Sequence, residues 1–151
     1  MIEVIQALRQ HITSKIPSIK KVERWNNQLS NEGKGVISRL DVVYLEFANI
    51  TTVTVSRGVQ HCTVAPLRVR LPGKGTEDGD VLLGRAQELY KVLQGFSGGP
   101  LLTPMERVKI YQDTKHDSIE QMVQDFTFKY TDDYKAVGRS QSMTPELEVT
   151  A

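Results

Sequence analysis

The chain is predicted to adopt an α+β fold, a mainly antiparallel sheet of about five strands with two helices packed on one face. Three observations predict it. Residues 2–16 and 76–94 each carry apolar side chains at steps of three and four, the spacing of one helix face. Residues 41–71 instead alternate with period two and are rich in β-branched residues, which is the signature of consecutive strands. Two further alternating runs follow the second helical stretch. Helices covering one face of such a sheet would bury every apolar face that the pattern offers.

Taken in order, Ile2, Ile5, Leu8, Ile12 and Ile16 mark the first helix, and Pro17 stops it because proline cannot donate the next backbone hydrogen bond. Ile19 to Trp25 reads as a short strand, and Asn26 to Gly35 as a polar loop. Ile37 to Ile50 is the strongest strand. Val43, Leu45 and Phe47 share one face and Val42 and Tyr44 the other, which predicts a strand covered on both faces at that end. Thr51 to Arg57 continues extended, Arg57-Gly58 is a turn, and Gln60 to Leu71 alternates again. Pro66 breaks the parity of that last run, so an edge position or a bulge is expected there.

Pro72 to Gly79 reads as a turn, with Thr76 as a helix cap and acidic residues suited to the positive end of the helix behind it. That helix is expected to bury Leu82, Ala86, Leu89 and Leu93 and to end at Gly95. Val108 to Gln112 is a strand, Thr114 to Ser118 a turn, and Met122, Gln124, Phe126, Phe128 and Tyr130 the aromatic face of a final strand. The order is α-β-β-β-α-β-β. Residues 1–133 are expected to form one domain, and residues 134–151, poor in large apolar side chains, an extended or disordered tail.

With 151 residues, 39% apolar and 25% charged, the composition is that of an ordinary globular domain with a core of its own. The net charge of +1 gives no bulk attraction to nucleic acid or to a membrane surface. The charge is uneven, however: residues 1–40 hold seven Lys/Arg against three Asp/Glu. Cys62 is the single cysteine, which excludes an intrachain disulfide and suits a reducing compartment. No apolar run approaches the roughly 18 residues of a membrane span. The N-terminal stretch mixes acidic and basic residues on an amphipathic helix, unlike a signal peptide.

Candidate chemistry is sparse. His61 and Cys62 are neighbours on a strand and point to opposite faces, so they do not make a nucleophile–base pair. Asp113, His116 and Asp117 could gather at one turn around a cation, but no further ligands complete a shell, and a polar hairpin tip is the simpler reading. The glycines of PGKGTEDG lack the Ser/Thr after the lysine that a phosphate-binding loop requires. Lys15, Lys20, Lys21 and Arg24 form a basic cluster that reads as a solvated face or as a contact to phosphates. Trp25, beside Asn26, Asn27 and Gln28, is either core packing or an interface anchor. No cofactor, no metal site and no enzymatic activity is expected.

Three runs carry a family likeness. Trp25-Asn26-Asn27-Gln28, then Val43-Tyr44-Leu45-Glu46-Phe47, then Arg57-Gly58-Val59-Gln60 resemble the neck and tail-terminator proteins of tailed bacteriophages, over about residues 1–133. The resemblance implies a structural virion protein, assembled in the bacterial host cytoplasm. It implies a homo-oligomeric ring at the head–tail junction, typically of six copies with twelve as the alternative. Such a ring touches neighbouring connector and tail proteins and lets genomic DNA pass without sequence specificity. On that basis Trp25, Asn26, Gln28, Arg57, Gln60 and Pro66 are candidate contacts to a neighbouring subunit or ring, with an exposed edge strand over Gln60–Leu71 as the joining element. Lys15, Lys20, Lys21 and Arg24 are candidates to line the channel. The alternatives are a small ligand- or metal-binding α+β domain and a non-specific DNA-binding module.

Overall fold

A computed structural model describes residues 1–25, 41–74, 79–116 and 119–132. The element order is α1 (Ile2–Lys15), β1 (Lys21–Arg24), β2 (Val42–Phe47), β3 (Ile50–Ser56), β4 (Val59–Lys74), α2 (Gly79–Leu93), β5 (Glu106–His116) and β6 (Ile119–Asp132). The fold is α+β. Among the described residues a single sheet has six strands in the order β1-β2-β4-β6-β5, with β3 also paired to β4. Every pairing is antiparallel except β1 with β2, which is parallel.

The two helices lie on one face. α1 buries Val4, Ile5, Leu8 and Ile12, and Ile16 just beyond it is buried too. Ile2, expected on this stripe, is 61% exposed, and Val4 takes its place. At 100° per residue Ile2 falls roughly a quarter-turn or more from the centre of the buried stripe, whereas Val4 stays inside it. α2 buries Leu82, Ala86, Leu89 and Leu93 as the spacing predicts. Gly95 ends it at φ 77°, a backbone conformation that glycine adopts without a Cβ penalty. His11 joins the helices: its Nε2 lies 2.8 Å from the Val92 carbonyl oxygen, and its ring stacks on Phe96. Under the helices lie Val43 and Leu45 of β2, Cys62, Val64, Leu67, Val69 and Leu71 of β4, and Phe126, Phe128 and Tyr130 of β6.

β4 is the spine of the sheet. One of its edges pairs with β6 from Gln60↔Asp132 to Lys74↔Ile119. Its other edge is shared: β2 pairs along Leu67–Arg70 and β3 along Val59–Val64. This corrects the expectation of an edge strand over Gln60–Leu71. Pro66 sits at a bulge between Val64 and Leu67, after a cis Ala65–Pro66 bond, and the chain opposite it also breaks step at Ala48–Asn49. Ala48 donates to the Pro66 carbonyl and Ala65 donates to the Asn49 carbonyl, so the ladder is carried across the gap without a proline N–H.

Several boundaries move. β4 runs on through Pro72 and Gly73 to Lys74, where a turn is expected, because Gln121, Glu120 and Ile119 continue the ladder opposite them. The final hairpin lengthens in the same way, with β5 and β6 reaching His116 and Ile119. Thr76, the expected cap, and the expected tail after Asp133 lie outside the described residues.

Candidate functional site

The face of the sheet opposite α1 and α2 carries a charged network that the periodicity did not flag. Strand alternation and register place it. Val43, Leu45, Val69 and Gln124 face the helices, so Tyr44, Glu46, Arg68, Arg70, Val123 and Asp125 face the other way. On β5, Lys109 stands opposite Asp125, Tyr111 opposite Val123 and Asp113 opposite Gln121. One row across four strands therefore reads Glu46, Arg68, Asp125, Lys109, with the sign of charge alternating at each step. Opposite charges directly across a strand pair attract, and like charges there repel.

Arg70 is the hub, with its side chain only 10% exposed. Its Nε and Nη2 donate to Glu46 Oε1 at 3.1 and 2.8 Å. Its Nη1 donates to Asp113 Oδ2 and to Gln121 Oε1, each at 3.3 Å. The guanidinium also lies 4.5 Å from the ring centre of Trp25, which meets Tyr44 edge-on. A planar cation with a fixed fork of donors suits this many-sided contact, whereas the single point charge of a lysine does not. Arg68 is a looser partner: Nη1 lies 3.6 Å from Glu46 Oε2, and Nε lies 3.7 Å from Asp125 Oδ1. Three buried atoms here, Arg68 Nε, Asp125 Oδ1 and Gln121 Nε2, make no hydrogen bond among the described residues.

Burial pushes the Asp125 carboxyl above its usual range, and the nearby Arg68, Lys109 and Arg70 charges oppose that push. Burial likewise raises the Tyr111 phenol, helped by the Asp125 charge. On the helix side, Tyr130 is raised by burial and by its hydrogen bond with Cys62, its partner across β4 and β6. Glu46, Asp113 and Asp125 balance Arg68, Arg70 and Lys109, so the network carries no net charge and ties β2, β4, β5 and β6 together.

The sequence candidates are spread around the molecule. Trp25 joins the Arg70 network, while Asn26 and Gln28 lie outside the described residues. Arg57 is exposed at the β3–β4 turn, and Gln60, second residue of β4, donates from its Nε2 to Thr54 Oγ1 at 3.4 Å. Pro66 lies on β4, two strands inward from β1. Among the described residues, Trp25 and the Arg57–Gln60 turn lie on different strands of the sheet and do not form one patch.

The basic cluster is partly gathered. Lys20 and Lys21 share a groove of about 430 Å³ with Arg9 and Thr13, where α1 rests on β1. Lys20 Nζ donates to the Pro17 carbonyl and Lys21 pairs with Glu23. Lys15 is exposed at the end of α1, and Arg24 extends from the face of β1 opposite to Lys21. Of the turn considered for a cation, Asp113 binds Arg70 and Asp117 lies outside the described residues. Among the described residues no group of three His, Cys, Asp or Glu is placed to hold a metal ion, and no helix is long and apolar enough to cross a membrane.

The edges of the sheet differ sharply. β1 is short and three of its four residues are charged. β5 carries Glu106, Arg107, Lys109 and Asp113, and is broken by two register shifts. β3, Ile50–Ser56, has no charge and no proline, and Val53 and Val55 are 63% and 49% exposed. No protein-family model matches the chain, and no curated protein matches it.

Proposed function

We propose that this chain is a structural subunit of a tailed-bacteriophage particle, a tail-terminator or neck protein whose copies close into a ring at the head–tail junction. The observation that carries the reading is where the described parts of the three resembling runs fall. Trp25 follows directly on β1 and packs on the strand Val43–Phe47, and Arg57-Gly58 turns β3 into the long β4. The helix α2 and the closing hairpin β5–β6 then complete the layout that the resemblance implies.

In this reading the Arg70 network holds the sheet rigid, while edges and loops make the joints. A contact between two different surfaces, repeated about an axis, closes a ring. The corner bearing Lys15, Lys20, Lys21 and Arg24 would face DNA in the channel through non-specific phosphate contact. Light scattering after gel filtration, run over a concentration series, tests the proposal. A discrete mass near six or twelve copies is the expected result. A monomer at every concentration, together with absence from purified virions, would refute it.

A further inference from the structure

We propose that β3 is a strand-addition edge whose occupant is β3 of a second copy, paired antiparallel about a two-fold axis. Natural sheets protect free edges with charge, proline, bulges or brevity. β1 and β5 are protected in this way, by charge and shortness in one and by charge and register shifts in the other. β3 carries only a bulge at Val55, beside its turn. The stretch from Ile50 to Thr54 is regular, and six of the seven strand residues are β-branched.

From Thr51 to Ser56 the strand is exposed on both faces, and among the described residues its backbone pairs on one side only, with β4. A second copy fits for three reasons. Antiparallel self-pairing of a neutral strand sets no charge against another. A two-fold axis crossing near Thr52 and Val53 brings threonine and valine side chains opposite one another, and such β-branched cross-strand pairs are favourable. By contrast, β1 or β5 of a neighbour would bring its charges to a strand that carries none in return. The contact is isologous, and so distinct from the heterologous contact that closes a ring. It stands on β3 alone and holds whether or not the ring reading does.

Three variants of the full chain test it. Val53→Lys places charge at the centre of the pair, on a residue already exposed. Its mass in solution is expected to be half that of the unaltered chain, whatever the larger assembly. Val53→Cys and Arg57→Cys are then compared with a bis-maleimide too short to reach beyond neighbouring strands, Cys62 being buried. The axis near Thr52 and Val53 brings the two copies of residue 53 together. It separates the two copies of residue 57 by about 30 Å at 3.3 Å per strand residue. Linked dimers are expected from Val53→Cys and not from Arg57→Cys. An unchanged mass for Val53→Lys, or linking at Arg57 as ready as at Val53, overturns the proposal. A ring mass that halves on Val53→Lys and stays a ring supports both this contact and the ring.

Discussion

Arg70→Met is the sharpest probe of the charged network. Methionine keeps the length and apolar stem of the side chain and can still rest against Trp25, but it removes every donor. Glu46 and Asp113 then lose the guanidinium they face, at 27% and 13% side-chain exposure. Removing one member of a buried pair costs about 3–5 kcal/mol, chiefly because the remaining charge is stranded. Glu46 retains some contact with water and its looser pairing with Arg68, which places the expected loss near the lower end, about 3 kcal/mol. With a urea slope of about 2 kcal/mol per M, usual for a small domain, the midpoint falls by roughly 1.5 M at unchanged slope. Glu46→Gln supplies the control. If the two residues act as a pair, the double variant loses less than the sum of the single losses by about 1 kcal/mol or more. A midpoint shift below about 0.5 M for Arg70→Met, or full additivity with Glu46→Gln, would refute the reasoning and make the network a surface ornament.

Two further outcomes follow from single residues. Gly95→Ala meets no atom within 4 Å of its new Cβ, so only the backbone at φ 77° resists it, and the expected loss is about 1–2 kcal/mol by thermal or urea unfolding; a neutral result would show that the α2 stop relaxes. Asp125 tests the sign of a raised carboxyl. Its folded pKa exceeds the unfolded 3.8, so the folded state holds the proton more tightly, and the stability Asp125 contributes is lost as pH rises through that folded value. Asp125→Asn is therefore expected to cost more at about pH 4 than at about pH 7 in urea unfolding, and a cost that grows with pH would refute the assignment.

The helices and most strands were legible because their signals are apolar and periodic. Leu82, Ala86, Leu89 and Leu93 lie where the spacing puts them, Gly95 ends the helix, and Pro66 marks a bulge. Val42 and Tyr44 reported correctly that β2 is covered on both faces. What the pattern could not give is register. Arg68 and Arg70 alternate with apolar residues, a pattern that names no partner for them; only the pairing of Glu46 with Arg68, and of Arg68 with Asp125, turns that face into a network. The available signal was two arginines on one face of a strand otherwise built for burial. The central place of β4 was hidden for a related reason, since a proline argues for an edge unless a bulge in the neighbouring chain supplies the missing step, as Ala48 and Asn49 do.

The shared edge of β4 also sets an order of events as the chain emerges during synthesis. β3 and β4 are joined by a tight turn and can zip together as soon as both exist, whereas β6, which covers the other edge of β4, is encoded last among the described strands. Pairings between distant segments are slow to form because a long loop must be closed first. Until β6 arrives, the longest strand of the sheet presents an open flank, next to a hairpin partner that carries no charge to repel a stray strand. The nascent chain is therefore most prone to wrong pairing between completion of β4 and completion of β6. Slower translation across residues 75–132, or higher local crowding of nascent copies, lengthens that exposure and should lower the soluble yield.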